Sequence, residues 1–133
     1  MSMIALDTSA YSKLRLGRAA VIDRLVEAST ILVPVVVLGE LAAGFRRGRR
    51  LKDNMARLDE FLAEPDVRIV PVDRSIADVY GQLVASMRER GRPIPTNDIW
   101  IAACALAHRA QLVTYDRDFE NVNDLDLDLL VDD

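Results

Sequence analysis

The sequence predicts an α/β fold in which a central parallel sheet of four to five strands carries helices on both faces. Short apolar segments alternate with longer segments in which apolar residues recur at helical spacing. Strands that are separated by helices in this way pair in parallel and are joined by right-handed crossovers. With 133 residues, no internal repeat and no linker, the chain is predicted to form one domain over residues 1–133.

The first half of the chain predicts two strands and the helices that follow them. "MIAL" (3–6) is typical of a buried strand, and the helical pattern after it extends to about Ala28. "TILVP" (30–34) predicts the second strand, and helices are expected at 35–45 and 51–64. The second of these helices has apolar residues every three to four positions, at Leu51, Met55, Leu58 and Leu62.

The second half of the chain predicts two more helices and the remaining strands. "VRIVPV" (67–72) is the third strand, and Asp73 is expected to cap a helix that ends near Gly91. "GRPIPT" breaks the chain, and Thr96 is expected to cap the apolar helix that follows. The fourth strand is predicted at 111–115, and 127–131 is a candidate for a fifth.

The composition excludes several kinds of site. Cys104 and His108 are the only cysteine and histidine, which excludes a disulfide framework and a Cys/His zinc cluster. Cys104 is expected in the core, and His108 at the surface near the end of its helix. No segment approaches the roughly 20 apolar residues that a membrane helix needs, and "MSMIAL" does not begin a secretory leader. We therefore expect a soluble cytoplasmic protein with no membrane partner.

The net charge of −4 is unevenly distributed along the chain. From Asp116 to the end there are eight acidic residues and one basic residue, so residues 1–115 carry a net charge of +3. The acidic total is weak evidence against a nucleic-acid partner, because the local field at a site matters more than the sum.

Four carboxylates are predicted to meet at one edge of the sheet. Asp7 directly follows the first strand and Asp116 the fourth, and the carboxyl ends of parallel strands share an edge. Asp98 begins the helix that leads back into the fourth strand, so it lies at the same edge. Glu40 lies about one turn inside the helix after the second strand, where it interrupts an apolar run.

A cluster of this kind predicts a divalent metal ion. Carboxylates in close contact repel one another, and without a counter-charge at least one would hold a proton. An all-oxygen ligand set favours Mg²⁺ or Mn²⁺, which suit phosphodiester hydrolysis by a water molecule of lowered pKa. Ordinary roles are also open for several of these acids: Asp7 and Asp98 as helix caps, Asp118 as a loop residue that is solvated or supports the site, and Glu40 as a residue that faces water.

At these residues the chain resembles the PIN-domain nucleases, and among them the VapC-type toxins of toxin–antitoxin modules. The matching segments, in family order, are "ALDTSA", "VVLGELAAGF", "TNDIWIAACALAH" and "LVTYDRDF". The resemblance implies a three-layer α/β/α sandwich and a Mg²⁺- or Mn²⁺-dependent ribonuclease acting on structured cellular RNA. It also implies a homodimer that a cognate VapB-type antitoxin neutralises, in a heterotetramer or larger complex.

The resemblance also assigns residues to the site. By position, Asp7, Glu40, Asp98 and Asp116 match the family's acidic quartet, which implies that they bind metal and carry the catalysis. Asp118 competes with Asp116 for the fourth position. Polar neighbours that are candidates to orient carboxylates or water are Thr8, Ser9, Asn97, Thr114 and Asp118. For each of them an ordinary cap or turn hydrogen bond is the alternative.

Other residues are candidates for contacts with partners. The arginines of "RRGRRLK" (46–52), namely Arg46, Arg47, Arg49 and Arg50, suit RNA phosphates or an acidic segment of the antitoxin, and a solvated loop is the alternative. Trp100 and Tyr11 are candidates to stack on a base, although an apolar helix more often buries such a tryptophan. The early apolar residues Leu14, Leu16, Val21 and Leu25 suit packing against a second copy or an antitoxin.

Two other functions stay open on the sequence alone. A PIN domain that binds RNA or a partner without cleaving would have the same fold. A haloacid-dehalogenase-like phosphatase also begins with an aspartate after its first strand, but it needs a second aspartate two positions on, where this chain has Ser9. The RNA target is not readable, because recognition of folded RNA depends on shape more than on short motifs.

Overall fold

The computed structural model describes residues 2–132, and the two ends of the predicted domain, Met1 and Asp133, lie outside the described residues. The described chain contains five strands: β1 (Met3–Leu6), β2 (Thr30–Pro34), β3 (Val67–Val70), β4 (Gln111–Thr114) and β5 (Leu127–Leu129). All neighbouring strands pair in parallel, in the order β3-β2-β1-β4-β5. The predicted parallel sheet is confirmed, and it includes the fifth strand.

Among the same residues, six α-helices flank the sheet: α1 (Thr8–Arg15), α2 (Ala19–Glu27), α3 (Val35–Arg47), α4 (Leu51–Leu62), α5 (Arg74–Arg90) and α6 (Thr96–Ala107). A short 3₁₀ helix, Arg117–Asn121, joins β4 to β5. Right-handed crossovers place α1 to α4 on one face of the sheet and α5 and α6 on the other. This is the predicted three-layer α/β/α arrangement.

The order of the strands creates a switch point between β1 and β4. From β1 the chain moves outward through β2 to β3, and α5 and α6 then return it to the opposite side of β1. In open α/β sheets, ligands bind at the carboxyl ends of the strands that flank such a reversal. Leu6 pairs with Val113, so Asp7 and Thr114 are the next residues along the two strands.

The core covers both faces of the central strands. Leu6, Leu112 and Val113 are fully buried, which explains why these strands read as continuous apolar runs. Cys104 is buried in α6, as predicted, and burial raises the pKa of its thiol to about 11. His108 is exposed at the carboxyl end of α6, also as predicted. Among the described residues, no helix combines the length and apolar character that crossing a membrane requires.

Two helix ends differ from the sequence-based expectation. The helical segment predicted to extend to Ala28 is two helices, because Gly17 adopts a φ of 76° that a residue with a Cβ reaches only at a cost. Thr96 was expected to cap α6, but it lies inside the first turn, and Pro95 stands at the cap without a side-chain hydrogen bond. Asp73 and Gly91 do begin and end α5. The other bounds shift by one or two residues.

Some residues considered for partner contacts are occupied inside the protein. Tyr11 is buried and its ring lies 5.5 Å from that of Phe61, so the base-stacking prediction is wrong for this residue. One face of Trp100 is stacked on Tyr80, with ring centroids 3.7 Å apart. Val21 is fully buried in the core and is not available for packing against a partner. The other early apolar residues remain accessible: Leu16 is exposed, and Leu14 and Leu25 line a groove.

Candidate active site

Asp7 leaves the sheet at the end of β1 and begins α1. Its Oδ1 accepts a hydrogen bond from the backbone N–H of Ala10 at 2.8 Å, so the aspartate is the N-cap of the helix. The residue is only 4% exposed. Asp7 is therefore a helix cap, the role that the sequence predicts as an alternative to metal binding. The cap also fixes the carboxylate of Asp7 at the switch point between β1 and β4.

Two hydroxyl groups tie Asp7 to the end of β4. Thr114 donates to Oδ2 of Asp7 at 2.5 Å, and Ser9 lies 2.8 and 2.9 Å from the two oxygens. Each hydroxyl in turn accepts a backbone N–H at 2.9 Å, Ser9 from Tyr115 and Thr114 from Asp116. The first residues after β1 and β4 are thereby held in a fixed relation.

Asp116 and Asp118 both lie at the site. Oδ1 of Asp116 accepts the N–H of Asp118 at 2.9 Å and so caps the 3₁₀ helix. Carboxylate oxygens of Asp98, Asp116 and Asp118 lie within 4.8 Å of one another. The two differ in setting, since Asp118 is exposed while Asp116 is half-buried and anchored to Thr114 through its own N–H.

Asp98 lies in the first turn of α6, where four other carboxylates affect its pKa. Its pKa is raised to about 7 by burial and then by repulsion from the neighbouring carboxylates, in decreasing order Asp116, Glu40, Asp7 and Asp118. Burial also raises the pKa of Asp7, against the lowering effect of the hydrogen bonds from Thr114, Ala10 and Ser9. The four predicted acids and Asp118 therefore lie close enough at one edge of the sheet to affect the pKa of Asp98. Among the described residues, the carboxylate oxygens that lie within 4.8 Å of one another are those of Asp98, Asp116 and Asp118, without Asp7 and Glu40.

Glu40 reaches this edge from α3. Its Oε1 accepts the hydroxyl of Thr8 at 2.6 Å, and the amide of Asn97 lies 3.5 Å from Oε2. Thr8 belongs to α1 and Asn97 to α6, so three helices meet at this carboxylate. These polar partners explain why a carboxylate interrupts an otherwise apolar helix.

The basic stretch begins in the last turn of α3, the helix that carries Glu40. Arg46 and Arg47 end α3, and Arg49 and Arg50 lie in the link to α4, with all four residues exposed. Only Arg47 of these lines a pocket together with Glu40 and Asn97. That pocket was not predicted. The signal for it was the seven-residue spacing of Glu40 and Arg47, which places both on one face of a helix.

The donor set fits a hard divalent cation. Every candidate ligand is a carboxylate oxygen, and those of Asp98, Asp116 and Asp118 approach within 4.8 Å of one another. Among the described residues, none of these three forms a salt bridge. Cys104 is buried in the core and His108 lies at the opposite end of α6 from Asp98, so neither supplies a softer ligand. Mg²⁺ and Mn²⁺ favour such ligands.

The phosphatase alternative finds no support at Ser9. A haloacid-dehalogenase-like mechanism needs an acid two positions after the first aspartate. Ser9 instead uses its hydroxyl to bridge Asp7 and the N–H of Tyr115.

The PIN domain family model matches residues 4–125 of the chain. Among the curated proteins, ribonuclease VapC5 of Mycobacterium tuberculosis is 31% identical over 114 residues, covering 86% of this chain and 83% of the relative. Ribonuclease VapC2 of Rickettsia felis is 30% identical over 108 residues, covering 80% of this chain and 79% of the relative.

The chain also shares its fold with solved structures of VapBC proteins. VapBC2 of Rickettsia felis, bound to a DNA fragment from its promoter, superposes with a TM-score of 0.87 at 26% identity, over 96% of this chain and 98% of the other. VapBC-5 of Mycobacterium tuberculosis, a member of a family of toxin–antitoxin systems, superposes with a TM-score of 0.73 at 27% identity, over 99% of this chain and all of the other.

The raised pKa of Asp98 predicts how the stability of the metal-free protein depends on pH. Folded Asp98 keeps its proton up to about pH 7, whereas the unfolded chain releases it near pH 4. The folded state then binds more protons in this window, so the free energy of unfolding should fall by about 2 kcal/mol as pH rises from 4 to 7. This magnitude is about half of the free energy that corresponds to the whole pKa shift, because solvent screens the partly buried side chain of Asp98.

Denaturant titrations in chelator between pH 4 and pH 8 measure this effect. Asp98→Asn should remove most of the slope, and Asp59→Asn, at an exposed position of α4, should retain it. A wild-type profile that is flat over this range would contradict the prediction.

The hydroxyl of Thr114 should set the affinity of the site for metal. Thr114→Val keeps the shape of this fully buried side chain but removes the donor to Asp7 and the acceptor of the Asp116 N–H. We expect the Val variant to bind Mn²⁺ on the order of 10-fold more weakly by calorimetry, and Thr114→Ser to stay within about twofold of wild type. Equal affinities of the Val and Ser variants would contradict this role.

Proposed function

We propose that this chain, which belongs to the PIN-domain family, is a metal-dependent endoribonuclease toxin of the VapC type. It hydrolyses phosphodiester bonds of structured cellular RNA. One observation carries the proposal: carboxylates from independent strand and helix ends meet at the switch point of a fold shared with VapC ribonucleases over most of both chains.

Asp7, Glu40, Asp98 and Asp116 are the proposed ligands of one or two Mg²⁺ or Mn²⁺ ions. When bound, the ion supplies a nucleophile from water at neutral pH and stabilises negative charge on the phosphate oxygens. Asp118 is the alternative to Asp116, since its carboxylate reaches the same space. Asp116 is preferred because its main chain is anchored through Thr114 to Asp7.

The remaining polar residues position these ligands. Ser9 and Thr114 aim the oxygens of Asp7, and Thr8 and Asn97 hold Glu40. The hydroxyl oxygens of Ser9 and Thr114 accept backbone N–H groups, and Thr114 is fully buried, so neither is placed to attack a substrate and water is the proposed attacking group. Preorganised oxygens of this kind need little rearrangement during the reaction.

The proposed partner is a cognate VapB-type antitoxin, as in the VapBC complexes that share the fold. We propose that the toxin is a homodimer and that the antitoxin holds it inactive in the cytoplasm, in a heterotetramer or larger complex. Arg46, Arg47, Arg49 and Arg50 are proposed to contact either RNA phosphates or the antitoxin.

The proposal predicts cleavage that depends on metal and on the carboxylates. Antitoxin-free protein should make discrete cuts in total cellular RNA with Mg²⁺ or Mn²⁺ and none with chelator. Glu40→Gln and Asp98→Asn should each reduce the cleavage rate on the order of 100-fold or more. Mapping the cut ends by sequencing also identifies the target RNA.

The exposed Asp59→Asn variant is the control and should cleave at the wild-type rate. Asp116→Asn should lose more activity than Asp118→Asn, and the reverse order would reassign the fourth position. If folded wild-type protein makes no cuts in varied RNAs, the function is that of a non-catalytic binding domain instead.

A further inference from the structure

We propose that the pocket between Glu40 and Arg47 is a subsite for a backbone phosphate of the RNA, next to the phosphate that is cleaved. The pocket is lined by Val36, Gly39, Glu40, Ala43, Arg47 and Asn97 and has a volume of about 460 Å³. The inference rests on the proposed function and names the part of the substrate that this side of the site holds.

Small residues on α3 make the pocket accessible to a bulky ligand. A Cβ built at Gly39 would meet no atom within 4 Å, so the surface there is open. At Gly44 a Cβ would meet only Nη2 of Arg47, at 3.7 Å. The guanidinium therefore lies back along the helix, over the glycine, and forms one wall of the pocket.

The Arg47 guanidinium has no ion-pair partner within 4.0 Å in the part of the chain that the structure describes. The oxygens of Glu40 face the hydroxyl of Thr8 and the amide of Asn97, so the two charged groups share a pocket without neutralising each other. They are two helical turns apart, or roughly 10 Å along the axis.

A phosphodiester is the ligand that this arrangement complements. RNA is a polyanion, and the neighbouring cluster contains five carboxylates, so a cation beside the cluster offsets repulsion that the substrate would otherwise meet. A guanidinium binds phosphate oxygens in a bidentate manner. The exposed amide of Asn97 can also donate to the same stretch of substrate.

Arg47 differs from the other three arginines in its position. Arg46 folds back, with its Nη1 3.4 Å from the carbonyl oxygen of Ala42. Arg49 and Arg50 lie beyond the end of α3, farther along the chain from Glu40. An RNA strand is favoured over an acidic antitoxin segment, because a strand whose scissile phosphate lies at the carboxylate cluster continues directly into the pocket that Arg47 shares with Glu40.

The subsite is tested with RNA binding by the full-length, antitoxin-free chain. Single-stranded RNA oligonucleotides of several sequences are titrated by fluorescence anisotropy with Mg²⁺, in an Asp98→Asn background that prevents cleavage. Arg47→Ala should weaken binding about 10-fold on every sequence and reduce the slope of log K against log salt by about 0.7. Arg68→Ala, at an exposed position of β3 outside the basic stretch, is the matched control and should change affinity by less than about twofold. Melting curves verify that each variant is folded.

Cleavage by the chain with Asp98 intact separates the possible outcomes. Arg47→Ala should raise KM about 10-fold with little change in kcat, because the contact is made in the bound substrate as well as in the transition state. If Arg47→Ala and Arg68→Ala behave alike while wild-type protein cleaves RNA, the subsite is wrong and the proposed function stands. If Arg47→Ala weakens antitoxin binding but not RNA binding, the pocket belongs to the antitoxin. If wild-type protein neither binds nor cleaves RNA, the proposed function itself fails.

Discussion

The geometry of the whole site depends on the hydrogen bonds that Ser9 and Thr114 donate to the carboxylate of Asp7. Asp7 belongs to the exit of β1, and the same two hydroxyls accept the N–H groups of the first residues after β4. The two strands flank the reversal of the sheet, so these contacts fix where Asp116 lies relative to Asp7. Asp98 and Glu40 are then added from α6 and α3, and burial together with repulsion among the acids raises the pKa of Asp98 to about 7.

The repulsion among these carboxylates connects the stability of the fold with the binding of a metal ion. A cluster of carboxylates at a sheet edge lowers stability unless a proton or a cation neutralises part of the charge. The helix caps at Asp7 and Asp116 do not exclude these residues from the site, since each carboxylate has oxygen lone pairs beyond those used for capping. Ordinary local structure thus supplies the rigid positions that a metal-binding nuclease requires.

Much of this arrangement was predictable because topology alone places it. Asp7 and Asp116 directly follow strands and Asp98 begins a helix, so the order of elements determines their edge without any side-chain detail. Ser9, Thr8 and Thr114 are candidates from the sequence, but their partners are not specified by it. The contacts of Ser9 and Thr114 depend on the register of β1 against β4, and that of Thr8 depends on the packing of α1 against α3. The burial of Tyr11 against Phe61 and the pocket at Arg47 depend on tertiary packing and were missed for that reason. The left-handed turn at Gly17 is local, closed by hydrogen bonds to Leu14 and Lys13, and the glycine itself was the signal for it.

The most direct test of the central claim is the position of a bound ion. Crystals of the protein soaked in Mn²⁺ and measured at a wavelength where manganese scatters anomalously locate the ion without assumptions about activity. A strong anomalous peak in contact with carboxylate oxygens of Asp7, Glu40, Asp98 or Asp116 is the predicted result. An empty cluster at millimolar Mn²⁺ and neutral or higher pH, or a peak only at surface acids elsewhere, would contradict the claim that these carboxylates form a metal site.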